Sequence, residues 1–332
     1  MEIKDLAGLS QPLTKLVEVL SSGIGQFSEP MLIRKRADAK AYEIDTIAQA
    51  IRRNLTLVGS LEYKDQSVTV LGKEETKTEI TPEKEIEEKL LSRIVYQEIK
   101  RQQNIEQIAQ IAAEQLKNEK EVSDEKLDED WISRFFNIAE EITSEEMQTL
   151  WGRVLAGEVK RPKSYSVRTL EFLRNMSKEE ANIFLRVSQL SISNDKTSII
   201  PTMDNQYYLE KFGVSFNDIL ILQEIGLLNP RDLGYTIYEN KNKGKGATWL
   251  FNGTKCVIVI KEPGVPQKTI PATVYTNIGR ELLSLIEIKP DEEYLEKFAK
   301  LWLDEGITVE IGDVITKNPY QIGNTRKIEK DK

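Results

Sequence analysis

The stretch from Ser215 to Pro230, SFNDILILQEIGLLNP, decides how the second half of the chain is interpreted. Its apolar residues recur at helical spacing, Ser215 stands where a helix N-cap is expected, and Gly226 marks the end of the helix. Short apolar and aromatic runs predict three strands after it, at 235–238, 249–251 and 256–260. The pattern therefore predicts a helix over 215–226 that leads into a strand hairpin.

The elements before this helix extend the pattern. Two more helices are predicted at 166–175 and 178–190, and a capping-box sequence from Ser177 to Glu180 precedes the second. Helices that lead into a strand hairpin are the layout of a winged helix. Residues 165–316 are therefore predicted to form a winged-helix-like α+β domain.

A winged helix can bind DNA or a protein, and its charge helps to separate the two. The predicted recognition helix contains Asp218 and Glu224 but no Lys or Arg, so its outward face is predicted to be acidic. A helix that reads DNA needs donors to base edges and cations near phosphate. Three lysines of the following turn could still contact phosphates: Lys241, Lys243 and Lys245. We expect a structural or protein-interaction role for this domain, with DNA binding as the alternative.

Helical periodicity dominates the first half of the chain. Helices are predicted at 12–27, at 31–54, over a long segment at 82–118, and on both sides of Thr143, which is the predicted N-cap of a capping box with Glu146. The predicted fold class is mainly α with a smaller α+β part. The predicted parts are an amphipathic N-terminal segment (1–36), a helical domain (37–160), the winged-helix-like domain (165–316) and a polar tail (317–332).

The first predicted helix has one apolar face and is followed by a basic cluster. The apolar positions are Leu13, Leu16, Val17, Leu20, Ile24 and Phe27, and the basic cluster is Arg34, Lys35 and Arg36. This combination fits a helix that lies in a membrane interface, where anionic lipids attract the cations. It fits equally well a helix that packs on the long helix at 82–118, so both alternatives stay open.

A basic stretch is the second candidate contact region. Its cations Lys160, Arg161, Lys163 and Arg168 could hold an anionic partner. Alternatively, they pair with the acidic block 119–146, whose eleven acidic and three basic residues account for the whole net charge of −8. Because the rest of the chain is neutral on balance, a nucleic-acid partner is disfavoured.

Composition removes most catalytic chemistry. The 332 residues include no histidine and one cysteine, Cys256, which excludes a Cys/His zinc site, a histidine-based triad or dyad and an intramolecular disulfide within one chain. Phosphate-binding glycine loops and calcium-loop spacing are also missing from the sequence. We predict a non-enzymatic protein without catalytic, cofactor-binding or metal-binding residues.

Two further expectations concern location and self-association. Glu2, Lys4 and Asp5 interrupt any early signal-peptide run, and no stretch approaches the roughly 20 apolar residues of a membrane span. We expect a cytoplasmic protein, peripheral at the inner membrane if the first helix binds lipid. The long helix at 82–118 is predicted to be solvent-exposed or packed antiparallel, with self-association as the alternative; self-association predicts that Ile94→Glu or Ile105→Glu changes the mass in solution.

Three blocks carry a family resemblance: LTKLVEVLSSGIGQFSEPMLIRKRADAKAYEI (13–44), MQTLWGRVLAGEVKRPKSYSVRTLEFLRNMSKEEA (147–181) and TVYTNIGRELLSLI (273–286). They resemble an uncharacterised bacterial family known only as a domain of unknown function, and the order of parts is similar to that of the abortive-infection protein Abi-alpha. The resemblance implies a bacterial or prophage protein with a role in phage defence. It carries over no catalytic residue, and it draws attention to Trp151, Gly157, Pro162, Ser166 and Leu170, which we assign to helix packing and a hinge.

The leading expectation is therefore a non-enzymatic interaction protein of bacterial defence. A protein partner or self-association is expected, and an anionic membrane surface is a further candidate partner. In this scheme the N-terminal helix rests on the body and is released when the C-terminal domain meets its partner, which requires two arrangements of similar free energy.

Overall fold

A computed structural model describes residues 10–24, 60–64, 67–71, 82–231, 233–238, 246–317 and 320–330. Within these ranges the chain forms ten helices and ten strands, and eight of the strands make one antiparallel sheet. The chain divides into two compact units, residues 1–170 and 171–332. This division lies a few residues after the basic hinge at 160–164 where the sequence suggested a boundary.

The described part of unit 1 is helical apart from one hairpin. Its helices are α1 (Gln11–Ile24), α2 (Pro82–Leu116), α3 (Glu129–Ala139), α4 (Glu145–Lys160) and the first residues of α5 (Val167–Asn175). Strands β1 (Ser60–Lys64) and β2 (Ser67–Leu71) pair antiparallel. The helix predicted at 31–54 lies outside the described residues.

The core of unit 1 is an aromatic cluster between α3 and α4. Trp131 stacks on Phe135 with ring centroids 5.0 Å apart, and Phe135 contacts Trp151 at 5.2 Å. The predicted cap before α4 is shifted by one residue, because Ser144 rather than Thr143 is the N-cap and accepts from the amide of Met147. Two glycines allow close approach: a Cβ at Gly152 would meet Ile111, and one at Gly157 would meet the Tyr165 ring.

Unit 2 combines helices with a large sheet. Its helices are the rest of α5, α6 (Lys178–Ser188), α7 (Asn205–Phe212), α8 (Phe216–Glu224), α9 (Asn277–Leu283) and α10 (Glu292–Trp302). Its strands are β3 (Ile192–Ser193), β4 (Ser198–Pro201), β5 (Leu233–Ile237), β6 (Gly246–Asn252), β7 (Lys255–Lys261), β8 (Lys268–Val274), β9 (Ile307–Lys317) and β10 (Tyr320–Lys327). The capping box predicted at Ser177 and Glu180 is confirmed at the start of α6.

The sheet of unit 2 has the order β10–β9–β7–β6–β3–β4–β8–β5. Strands β5, β6 and β7 correspond to the three predicted ones, whereas β8 and β10 were not predicted, and β10 lies inside the expected polar tail. About 50% of the described residues are helical and about 22% lie in strands. The fold is thus helix-rich with an antiparallel sheet, and its strand content is larger than the sequence suggested.

Helix α10 contacts β7, β8 and β9 and supplies much of the core of unit 2. Its Tyr294, Phe298 and Trp302 are completely buried. Lys261, at the end of β7, is also buried, and its ammonium donates to the carbonyls of Ile237, Tyr238 and Pro266 at 3.4, 3.2 and 2.7 Å. Lys261 thus links the end of β5 to the loop before β8 by hydrogen bonds.

Candidate interaction surface

Helix α8 begins at a complete capping box. The Ser215 hydroxyl accepts from the amide of Asp218, and the Asp218 carboxylate accepts from the amide of Ser215. These two bonds satisfy amides that would otherwise be orphaned at the helix start. They also fix which side of α8 faces the protein.

Asp218 lies on the inner side of α8. Its side chain is buried, and its carboxylate lies 3.4 Å from a guanidinium nitrogen of Arg186 on α6. The sequence analysis placed Asp218 on an acidic outward face, and that assignment is wrong. The capping box and the ion pair turn this carboxylate inward, which a helical projection without tertiary contacts cannot show.

The outward side of α8 is apolar instead. Phe216 is 57% exposed and Leu220 is 43% exposed, and the two residues stand one helical turn apart. Two other large apolar side chains are exposed on the helices before α8: Leu185 on α6 and Leu209 on α7. Single exposed apolar residues are common on protein surfaces, but an apolar helix face is typical of a contact site.

The charge that α8 itself carries on its exposed side is acidic. Glu224 at the end of α8 is exposed, and the helix contains no Lys or Arg. A duplex of DNA carries one negative charge for about every 1.7 Å of axis, so this helix would bring carboxylate and apolar groups against phosphates. The surface therefore fits a protein better than nucleic acid.

The basic stretch of unit 1 is largely engaged by acidic residues. Lys160 forms an ion pair with Glu119 at 2.5 Å, and Lys163 forms one with Glu125, which raises the pKa of Lys163. Arg161 and Arg168 are exposed. The structure thus places two of the four predicted anion contacts in pairs with the acidic block, as the alternative interpretation of the sequence described.

Behind these pairs, the buried Glu158 organises the loop after α4. Its carboxylate accepts from the backbone amides of Lys163 and Tyr165, at 2.6 and 2.9 Å. Lys163 adopts a positive φ of 69°, which only a tightly held turn stabilises for a residue with a side chain. Pro162 and Ser166, to which the family resemblance draws attention, lie in this loop.

Helix α1 packs against protein in this structure. Leu16, Val17 and Leu20 are buried, α1 contacts α2, α3 and α4, and the ring of Phe136 occupies the space that a Cβ at Gly23 would need. Leu13 and Ile24 are half-buried. Exposing the three buried side chains would cost on the order of 5 kcal/mol, so α1 would need a strong compensating contact to leave.

Residues 123–125 of the acidic block, called the acidic strap, form hydrogen bonds with α1. The ammonium of Lys15 donates to the carbonyls of Ser123 and Glu125, and the Gln11 amide donates to Asp124. Partial burial lowers the pKa of Lys15 against the opposing effect of these acids. Residues 119–125 of the acidic block thus contact α1 and, through Lys160 and Lys163, the end of α4 and the loop after it.

Seven predicted contact residues lie outside the described residues: Phe27, Arg34, Lys35, Arg36, Lys241, Lys243 and Lys245. Within the described part, no helix has both the length and the apolar composition needed to cross a bilayer. The same part of the chain contains no group of three or more acidic or cysteine side chains that could share a metal ion.

Comparison with protein families gives one match. The profile of the DUF2806 family, described as a protein of unknown function, covers residues 88–299, which is well over half of the chain. The chain belongs to the DUF2806 family. No curated protein and no solved structure matches it. The family region of this DUF2806 protein contains most of α2 and all of α8, the helix with the exposed apolar face.

Proposed function

We propose that this DUF2806 protein is a non-enzymatic interaction protein whose unit 2 binds a protein partner through the outward face of α8. The observation that carries this proposal is the exposure of Phe216 and Leu220 on a helix without cations. Two apolar anchors on a rigid, capped helix are suited to insertion into an apolar pocket.

We further propose that this part of unit 2 is a winged-helix module. In chain order, with β3 and the β6–β7 hairpin interposed, the elements α6, β4, α7, α8, β5 and β8 are helix, strand, helix, helix, strand and strand. The strands β4, β8 and β5 lie side by side in that order. This order supports the proposal, with the β6–β7 hairpin in the position of an enlarged wing. Helix α8 then stands where a DNA-binding relative would carry its recognition helix.

The partner is a protein segment with an apolar ridge and flanking basic side chains. The apolar ridge would cover Phe216 and Leu220, and the basic side chains would pair with the exposed carboxylates of Glu210 and Glu224. A role in phage defence, the likeness to Abi-alpha and a peripheral membrane location remain predictions from the sequence. None of them is needed for this contact.

The test compares Phe216→Glu/Leu220→Glu with Ile315→Glu, which changes an exposed apolar residue of β9 in the same unit. Full-length proteins with a photoreactive group at Asn217 are incubated in extract of the native cells, and crosslinked proteins are then identified and purified. We expect one protein to bind the wild type and Ile315→Glu equally and to bind the double variant at least about tenfold more weakly.

A DNA arm uses duplexes of mixed sequence and measures fluorescence anisotropy over a range of salt concentrations. The proposal expects no binding that survives physiological salt. Tight, salt-dependent binding that is lost when Lys241, Lys243 and Lys245 become Ala would favour the DNA-binding alternative. Equal binding of the protein partner by all three chains would also overturn the proposal.

A further inference from the structure

One buried carboxylate of unit 1 holds the loop that leads into α5. Glu158 lies in the last turn of α4 and is 2% exposed. Its two carboxylate oxygens accept separately from the amides of Lys163 and Tyr165, at 2.6 and 2.9 Å. Helix α5 starts at Val167, and the boundary between the units falls inside this helix, after Leu170. Glu158 therefore binds the segment through which unit 1 continues into unit 2.

The loop at 161–166 depends on this acceptor. Lys163 has a φ of 69°, in the left-handed region that residues with a side chain rarely adopt. The buried ring of Tyr165 packs on Gly157, where an added Cβ would lie 2.7 Å from the ring. If the Glu158 carboxylate withdrew, two amides would lose their acceptor, and the strained turn at Lys163 would lose the bonds that hold it.

The same end of α4 is bonded to the acidic strap. The amide of Ser123 donates to the carbonyl of Lys160 at 3.1 Å, and the side chain of Glu125 pairs with Lys163. The strap also accepts from α1, because the Lys15 ammonium donates to the carbonyls of Ser123 and Glu125. The loop, the strap and α1 are thus joined in series by polar contacts.

Electrostatic attraction connects Glu158 with α1 as well. Partial burial lowers the pKa of Lys15, and four carboxylates oppose this shift: Asp124, Glu125, Glu18 and Glu158. A carboxylate as deeply buried as Glu158 is costly unless hydrogen bonds and cations compensate it. The docked position of α1 and the charge of Glu158 therefore stabilise each other.

We propose that Glu158 is a positioning residue that couples the loop before α5, the acidic strap and α1 into one segment, which opens and closes as a whole. In the closed arrangement all three parts are bonded. In the open arrangement α1 and the strap leave the bundle together, and the loop gives up its bonds to Glu158. A displacement of α5 then acts on Glu158 first and on α1 through it, which gives the release of the N-terminal helix a physical route.

Hydrogen exchange of the full-length wild type tests whether the three parts open together. The reporters are the amides of Lys163 and Tyr165 for the loop, the amide of Ser123 for the strap, and the hydrogen-bonded amides of α1. Exchange is followed at single-residue resolution in low concentrations of denaturant. We expect all reporters to exchange through one opening with the same dependence on denaturant, and this opening should be more frequent than that of α3.

Two variants test the coupling from opposite ends of the series. Glu158→Gln offers one acceptor oxygen where the carboxylate offers two, so it should speed exchange about tenfold at the loop and, through the coupling, at α1. Lys15→Met acts on the strap and should speed exchange a few-fold. Because coupling between two sites is reciprocal, Lys15→Met should also speed exchange at the amides of Lys163 and Tyr165, to which Lys15 does not donate.

Two further variants are matched controls. Lys163→Ala removes only the exposed ion pair with Glu125 and should leave all reporters unchanged. Gln148→Ala removes a buried polar side chain at the other end of α4, where its amide donates to the carbonyl of Ile142. It should speed exchange around the turn between α3 and α4 without a preference for α1.

Three results would overturn the inference. The loop and α1 of the wild type could open with different dependence on denaturant, each variant could speed exchange only at its own end, or Glu158→Gln could speed exchange in α1 and α3 equally. The last result would show general destabilisation of unit 1. If Glu158→Gln does not fold, the wild type and Lys15→Met still decide the matter. None of these measurements uses a protein partner, so their outcome is separate from that of the α8 contact.

Discussion

The two units of the chain reach their cores in different ways. Unit 1 builds its aromatic cluster within residues 131–151, from helices that are neighbours in sequence. Unit 2 gathers Tyr208, Tyr275 and Tyr294 from distant parts of the chain around α10 and the sheet, and all three are buried. A helical core built from neighbouring helices can therefore be predicted from apolar periodicity, whereas a sheet core depends on pairings between strands that are distant in the sequence.

The largest expected effect on stability comes from removing one large buried side chain from the core of each unit. Trp151→Ala in unit 1 and Trp302→Ala in unit 2 each remove a completely buried ring, which typically costs about 3–5 kcal/mol. The two substitutions should destabilise different units. Each is therefore measured with a probe that reports one unit at a time.

Cys256 provides that probe for unit 2. It is the chain's one cysteine and is completely buried, and burial raises the pKa of its thiol to about 12. The native protein should therefore resist a thiol reagent. Trp302→Ala should speed the reaction strongly, and Trp151→Ala should leave it slow; equal acceleration by both would show that the units unfold together.

Alkaline pH should act on unit 2 through its buried tyrosines. Burial raises the pKa of Tyr208, Tyr275 and Tyr294 well above the ordinary value. A group whose pKa is raised on folding stabilises the fold fully below its unfolded pKa, about 10 for tyrosine, and this contribution is lost as the pH rises above that value. The absorbance of these three tyrosinates, separated from that of the chain's other tyrosines by Tyr→Phe variants, should rise in one cooperative step together with the loss of sheet circular dichroism; a smooth rise of this part near pH 10 with the sheet intact would contradict this.

A smaller effect is expected at Lys261. Lys261→Met keeps most of the aliphatic stem but leaves the carbonyls of Ile237, Tyr238 and Pro266 without this donor, so unit 2 should lose about 1–3 kcal/mol. Lys261→Ala should cost more, because it also opens a cavity. Denaturant unfolding measures both, and Lys327→Met at an exposed position is the control. Unchanged stability in both Lys261 variants would show that the cation is dispensable.

The smallest effects concern the acidic strap of unit 1. Lys15→Met removes the donor to the carbonyls of Ser123 and Glu125 and should cost about 1 kcal/mol. Lys163→Ala should cause no measurable change, because its ion pair with Glu125 is exposed to solvent. Flotation with anionic liposomes then asks whether loosening α1 promotes lipid contact. Deleting 1–36 would not answer this question, since it removes α1 from the core.

Local sequence patterns were sufficient to predict most of the helices and their caps, and composition was sufficient to exclude histidine-based catalytic sites. Helices α3, α4, α6 and α8 were predictable because apolar periodicity and N-cap residues act within a few residues of each other. The same holds for the absence of histidine and for the acidic block 119–146. Those features depend on local spacing or on composition alone.

Which face of a helix is exposed depends on its tertiary contacts. Asp218 was expected outside and lies inside, because Arg186 and the Ser215 cap hold it there, and this leaves Phe216 and Leu220 exposed. Likewise, one apolar stripe on α2 is buried at Ile105 and 51% exposed at Ile94. Periodicity shows that a helix face is apolar, but the burial of that face depends on whether other parts of the chain pack against it.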